Sequence, residues 1–589
     1  MSGTSQISRT SWQWALGIAG LIFASVIVWS LLDGHVGRPG PDGDDVMRLV
    51  QIRDLLAGQG WFDMHQYRLG PEGGTLMHWS RIPDVPILLF YHLFDLFMPS
   101  ETALMWAISV WPPLSILIVL AGLILGARHL GDGRVLVFTL IVALPVFLVH
   151  FRFLSGAIDH HNLQLGLLAL AVGASLDPLA RPGRYSLSGI ALGLSVAIGA
   201  ETYPYIAVLC AFHALDWANS GARVRRGTAA FGGAFAATVL LSFLTMVGPA
   251  QWGAAYTDTL SVISLAGALI GGTGLAAAAW FASDRPKPVR FGALAAIGLT
   301  TALAVAVLAP DGFANPLDAL PEEVRTLWLS NVSEARAMFA PADDRWQFAA
   351  FALGLPVSAL AISALAILRG RETRVHVLFA ALLVVAIALM FYQIRFYVFA
   401  HLIAIWPMAL WCASAFQSGR DGQGSRVAYL LPLALANPML WILPVMLVEP
   451  PVPPQGTTDA ACLSPQMLAL LHQVPPGTIV AGVNMGSPIL AETPHRALSG
   501  NYHRDAAGIA AAFDIFAAEP AEAHQKLEAV GASYVLFCAG TPENRILAKT
   551  RPDGLLARLD AGAAPGWLEP LGREEDPAGG RLYAVSSGE

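Results

Sequence analysis

Residues 375–416 read VHVLFAALLVVAIALMFYQIRFYVFAHLIAIWPMALWCASAF: two apolar runs joined by Gln393-Ile394-Arg395 alone. A helix needs about 20 apolar residues to cross a bilayer, so both runs read as membrane spans, near 375–392 and 396–416. Working outward with a hydropathy window predicts about thirteen spans in all. The others lie near 12–32, 103–126, 134–150, 160–176, 186–200, 202–216, 228–247, 258–281, 291–309, 346–368 and 427–448. Composition agrees with this reading. Of the 589 residues, 55% are hydrophobic and 13% charged, against roughly 25% charged in soluble domains. The net charge is −7 and the basic residues are scattered through short loops, so nucleic-acid binding has no support. Arg9 precedes the first apolar run and no small-residue cleavage site follows it, which reads as a retained signal anchor.

The connecting loops sort by charge. Arg128 and Arg134, Arg181 and Arg184, Arg223 with Arg225 and Arg226, Arg285 with Lys287 and Arg290, Arg369 with Arg371 and Arg374, and Arg420 with Arg426 fall in alternate loops. The positive-inside rule makes those loops cytoplasmic. The opposite side, periplasmic in a bacterial inner membrane, then receives the long segments 33–101 and 310–345, the loop from Phe151 to His160, the turn at Glu201, the link at Arg395 and the tail. The expected fold is an α-helical polytopic membrane domain over 1–450, followed by a soluble α/β domain over 451–589. Pro451, Pro453, Pro454 and Gly456 form the linker. In the tail, short β-rich runs (478–480, 534–538, 582–585) alternate with helical stretches (465–473, 506–518, 521–530). Four cysteines are too few for a disulfide scaffold or a metal cluster. Cys462 and Cys538 share the tail, as a pair or as free thiols.

Polar residues gather on the outer side. The first segment holds Asp42, Asp44, Asp45, Asp54 and Asp63; Asp44 and Asp45 open a helical stretch, where they either cap amide donors or hold a hard divalent cation. At the end of the third span stand Arg152, Gly156, Asp159, His160 and His161. Ionisable groups there are costly unless paired, hydrated or metal-bound. Adjacent histidines on a helix point to different faces, which argues against one metal taking both together with Asp159. Asn331-Val332-Ser333-Glu334 has the composition of a helix cap when taken alone. Arg395, with hydrocarbon on both sides, either snorkels to the headgroups or meets a lipid phosphate.

In this order and on this side, the four features resemble the catalytic-subunit family of oligosaccharyltransferases, within the GT-C superfamily of multi-span glycosyltransferases. The family's first-loop aspartate is matched by Asp44 or Asp45, and the aromatic stretch after it resembles Trp61-Phe62-Asp63. Its second-loop interval of arginine, glycine and aspartate is reproduced by Arg152, Gly156 and Asp159, and the Asp-His-His form is similar to the archaeal branch. Asn331-Val332-Ser333-Glu334 resembles the family's Ser-Val-Ser-Glu signature with one change, and Arg395 matches the arginine that contacts donor phosphate. The resemblance covers roughly residues 10–450. The tail departs from it: where the family reads its peptide acceptor with Trp-Trp-Asp-Tyr-Gly, this chain has Gly482-Val483-Asn484-Met485-Gly486.

The resemblance implies a glycosyltransferase that takes sugar or oligosaccharide from a polyprenyl-phosphate or -pyrophosphate donor and passes it to a periplasmic glycan, lipid or protein. It implies a divalent cation, Mg²⁺ or Mn²⁺, at Asp44, Asp159, His160, His161 and Glu334. Asp44, Asp45 and Glu334 become the catalytic carboxylates, and Arg395 and Arg152 the phosphate ligands. Membrane lipid is the third partner. The rival reading is a polyprenyl-lipid or glycan transporter, which calls for ionisable residues near the bilayer midplane.

Overall fold

A computed structural model describes residues 7–310, 321–322, 324–329, 332, 336–339, 346–447, 462–572 and 579–586. Eight of the described helices are long and apolar enough to cross a membrane: Arg9–Asp33, Ser100–Leu130, Arg225–Met246, Val262–Ala282, Lys287–Leu308, Trp346–Leu368, Thr373–Tyr392 and Ile394–Arg420. Gly133–Leu148, His161–Ser175, Pro182–Ile198 and Tyr203–Ser220 coincide with further expected spans. The chain is a multi-pass membrane protein. Helices form because hydrocarbon offers backbone amides no partner, and only an α-helix satisfies them within one segment. Leu299, Leu303 and Val307 on Lys287–Leu308 are exposed, a wall suited to lipid.

One expected span is corrected. Within 427–447 the helix is interrupted: Leu430–Leu435 stops, Pro438–Trp441 makes a 3₁₀ turn, and Ile442–Met446 follows. Asn437 precedes a proline and takes φ −91°, ψ 112°, as the clash with the following ring demands.

The described residues cluster into two compact units. The first lies within 1–40, 79–313 and 337–451; the second within 41–78, 314–336 and 452–589. They depart from a single cut after residue 450, because part of the first outer segment and part of the 310–345 segment pack with the tail.

In the membrane unit, Ser100–Leu130 and His161–Ser175 meet backbone to backbone. A Cβ on Gly173 would lie 2.3 Å from the Gly122 carbonyl oxygen, and one on Gly122 2.4 Å from the Ala169 carbonyl carbon. Small residues permit such approach between membrane helices. This seats the helix that begins at His161.

In the second unit a five-stranded sheet runs in the order Arg496–Ala497, Thr478–Val480, Ala532–Cys538, Gly580–Val585, Leu568–Leu571. The first three strands are parallel and the last two antiparallel. Val535, Leu536, Phe537 and Cys538 are all buried, as in a strand covered on both faces. Val480, Val535 and Phe537 share a core with Ile509, Phe513 and Phe516, and Val324 and Trp328 join it. The sheet edge is extended by the first outer segment, where Leu69 bridges Ala497, Ala497 N–H donates to the Arg68 carbonyl and Gly70 N–H to the Ala497 carbonyl, both at 2.9 Å. Cys462 and Cys538 are disulfide-bonded with Cα atoms 5.9 Å apart, which settles the open choice; Cys210 and Cys412 are free.

Candidate active site

The loop after Gly133–Leu148 builds the site. Ser155 N–H donates to the Ser30 hydroxyl and the Ser155 hydroxyl to the Ser109 carbonyl, at 2.9 and 3.0 Å. Gly156 takes φ +84°, a region in which side chains are strained. Its carbonyl accepts from Gly40 N–H at 2.8 Å, and a Cβ there would lie 2.5 Å from the Arg38 carbonyl oxygen. The glycine of the Arg152–Gly156–Asp159 interval is therefore a requirement of the backbone. It turns the chain so that Asp159 and His160 reach the start of helix His161–Ser175.

There the side chains converge. His160 Nδ1 lies 2.6 Å from Asp159 Oδ1, and His161 Nε2 lies 3.3 Å from Asp159 Oδ2. The two imidazole centroids are 4.5 Å apart. The adjacent histidines reach one place because His160 is the helix N-cap, with ψ −13°, so its ring is aimed by the turn and only His161 by the helix. Asp159, His160 and His161 are buried, and their ligand atoms lie within 4.8 Å of one another. A carboxylate and two imidazoles suit a divalent cation; the imidazoles favour manganese or zinc over magnesium, which prefers oxygen.

Glu201, on the 3₁₀ turn Ala200–Thr202, closes the cluster. Its oxygens lie 3.3 and 3.2 Å from His160 Nε2, and it accepts from Gln164 Nε2 at 2.9 Å. Arg395, on the turn Ile394–Phe396, approaches Glu201 Oε1 at 3.8 Å and donates to Gln393 Oε1 at 3.0 Å. Burial pushes the Glu201 carboxyl up, but His160, then Arg395 and His161, hold it well below the usual carboxylate range. Arg152, on the turn Phe151–Phe153, is close enough for its charge to act on His161. Five expected site residues, Arg152, Asp159, His160, His161 and Arg395, thus share one region of the membrane unit.

The remaining expected residues belong to the second unit or fall outside the described residues. Asp44 and Asp45 stand in the first turn of helix Gly43–Leu56 in the second unit, Asp45 buried. Asp42 is the residue that caps that helix, accepting from Asp44 N–H at 3.2 Å, and Asp44 and Asp45 stand where a carboxylate suits the helix dipole. The helix is tied to the tail: Arg53 donates to the Ala491 carbonyl at 3.1 Å and Tyr502 to the Gly43 carbonyl at 3.1 Å. Glu334, with Asn331 and Ser333, lies outside the described residues. His503 packs on His78, centroids 4.4 Å apart.

No family model matches the sequence, and no curated protein does. Solved structures do. The archaeal oligosaccharyltransferase AglB from Archaeoglobus fulgidus, in complex with an inhibitory peptide and a dolichol-phosphate, superposes with a TM-score of 0.67 at 16% identity, over 98% of this chain and 75% of that one. The oligosaccharyltransferase of that organism in complex with Zn and sulfate gives 0.61 at 17% identity, over 97% and 73%. Tethered with an acceptor peptide containing the NVT sequon it gives 0.62 at 16%, over 98% and 74%.

The chain has the oligosaccharyltransferase fold. Within that fold the strand Thr478–Val480 is followed by the 3₁₀ turn Val483–Met485 and helix Gly486–Glu492, so the stretch that departs from Trp-Trp-Asp-Tyr-Gly follows a strand as expected. Sequence reading missed two residues of the site, Glu201 and Gln164. A carboxylate alone between two apolar runs was the available signal for Glu201. Gln164, inside an apolar helix, gave almost none.

Proposed function

We propose that this chain is a membrane glycosyltransferase that transfers a sugar or oligosaccharide from a polyprenyl-phosphate or -pyrophosphate donor to an acceptor on the periplasmic side. The observation that carries the reading is the convergence of Asp159, His160 and His161 with Glu201 and Arg395 at helix ends. A transporter would hold such groups near the bilayer midplane. The similar fold of an enzyme bound to dolichol-phosphate and, in another complex, to Zn supports a lipid-linked donor and a metal-dependent reaction.

Arg395 grips the donor phosphate through its planar fork, and Arg152 adds a second positive charge. Asp159 with the two imidazoles holds a divalent cation, which when bound neutralises charge on the departing phosphate. The acceptor oxygen or nitrogen attacks the anomeric carbon, the bond from that carbon to the phosphate oxygen breaks with its electrons on the phosphate, and configuration inverts. The role implied for Asp44 or Asp45 is that of general base taking the acceptor proton, and Glu334 remains a proposed ligand. Gly482-Val483-Asn484-Met485-Gly486 in place of a tryptophan-rich reader favours a glycan or lipid acceptor over a peptide.

The test is the surface glycan profile of a strain carrying Asp159→Ala, with membrane protein levels checked. Loss of one specific glycan is expected; an unchanged profile with the variant present in the membrane rules the reading out.

A further inference from the structure

We infer that Glu201 and Gln164 are positioning residues that set the tautomers of both imidazoles and tie this pair to the phosphate-binding Arg395. The inference rests on the reading of Asp159, His160 and His161 as a cation site.

A carboxylate only accepts. Gln164 Nε2 lies 2.9 Å from Glu201 Oε2, so the NH₂ end of the Gln164 amide faces Glu201 and its oxygen faces the other way. That oxygen is 3.2 Å from His161 Nδ1, so Nδ1 carries the proton and Nε2 keeps its lone pair, directed at Asp159 Oδ2 from 3.3 Å. Glu201 Oε2 takes the Nε2 proton of His160 at 3.2 Å, which leaves Nδ1 as the nitrogen on the Asp159 side. The proton shared there at 2.6 Å is released when that nitrogen takes a cation instead. Glu201 and Gln164 together therefore turn one nitrogen of each ring toward the same carboxylate. Carboxylate and amide partners of this kind orient metal-binding imidazoles and raise their basicity.

The surroundings are cut to this network. Gln164 is fully buried and sits one helical turn beyond His160, donating N–H to its carbonyl at 3.1 Å. At Gly199 a Cβ would lie 2.9 Å from Glu201 Oε2 and 3.2 Å from Gln164 Nε2, so the glycine leaves the space these two side chains meet in. Glu201 Oε1 is also the atom 3.8 Å from Arg395 Nη1. Glu201 thus touches both halves of the site, whereas Gln164 touches only the imidazole half.

That asymmetry gives the experiment. Mn²⁺ binding is measured by the electron paramagnetic resonance of free ion with the purified full chain in detergent, alongside the KM for a polyprenyl-phosphate sugar and the thermal midpoint. Glu201→Gln is expected to weaken Mn²⁺ binding by about 10–100-fold and to raise the donor KM. Gln164→Met is expected to weaken Mn²⁺ binding to a similar extent, with the donor KM at saturating Mn²⁺ unchanged. The inference is overturned if Asp159→Ala abolishes Mn²⁺ binding while both variants, folded by their midpoints, keep the parent affinity. It is also overturned if both weaken binding only in proportion to a lost midpoint. If Asp159→Ala itself leaves Mn²⁺ binding intact, or the parent binds none, the cation-site reading fails first. Should Glu201→Gln not fold, Gln164→Met carries the decision on its Mn²⁺ affinity alone.

Discussion

Two of the charged clusters in the membrane unit are built differently. Around Asp216, Arg374 donates Nε and Nη2 to one carboxylate oxygen at 3.1 and 2.9 Å. Nη2 also bonds Tyr185 Oη at 2.9 Å, and the guanidinium stacks 4.7 Å from the Phe212 ring. Donors and acceptors there are matched at close range, as in a fastener between helices Pro182–Ile198, Tyr203–Ser220 and Thr373–Tyr392. Around Asp159, two carboxylates and two imidazoles crowd one helix end, and Arg395 reaches Glu201 only at 3.8 Å. Closed pairing marks a structural cluster. Crowded acceptors beside a loosely held arginine mark a place prepared for a charged ligand.

Asp159→Ala is expected to reduce transfer by at least about 100-fold with the thermal midpoint nearly unchanged; equal transfer per folded molecule would remove the distinction between the two clusters. Arg374→Ala is the mirror experiment. It should destabilise the protein by roughly 1–3 kcal/mol, because Asp216 loses its closest charged partner and keeps, among the described residues, the Ser220 hydroxyl at 3.1 Å and Arg223 at 3.8 Å, and leave the donor KM alone. A changed KM would mean that the two clusters are coupled. A smaller effect is expected in the Asp159 cluster. Arg395→Lys keeps the charge but loses the planar fork, so the donor KM should rise by about tenfold with little change in Mn²⁺ affinity.

The smallest effect comes from a third carboxylate, in the tail unit. Burial pushes Asp505 up to about 7, against hydrogen bonds from Gly500, Thr75 and Gly508. The folded state therefore holds a proton that the unfolded chain releases at about pH 4. Stability from this group is complete below that value and is lost as pH rises toward 7. Asp505→Asn removes the titrating group and keeps an amide oxygen that can accept from Gly500 N–H as Asp505 Oδ2 does at 2.8 Å, so the fall of the thermal midpoint between about pH 4 and 7 should flatten. A variant that keeps the slope would remove Asp505 as its source.

Much of this molecule is legible in its sequence where the cause is local. Membrane helices follow from runs such as 375–392, since hydrocarbon forces each segment to satisfy its own backbone. Strands at Thr478–Val480 and Ala532–Cys538 follow from β-rich composition between helical stretches. The Asp159-His160-His161 cluster is contiguous, so its chemistry is visible before any fold. The break at Asn437-Pro438 was also written in the chain, but a hydropathy window averages over it.

What only the tertiary structure decided is where distant segments meet. Residues 68–70 read as part of an outer loop, yet they continue the sheet edge at Ala497, because backbone pairing carries no side-chain signature. Trp328 joins the tail's core across more than a hundred residues of chain. Glu201 and Gln164 are single polar letters in apolar surroundings, and their roles exist only once two helix ends are packed side by side. Composition and periodicity specify elements and their solvent; a site assembled from several helix ends depends on packing, which no window along the chain contains.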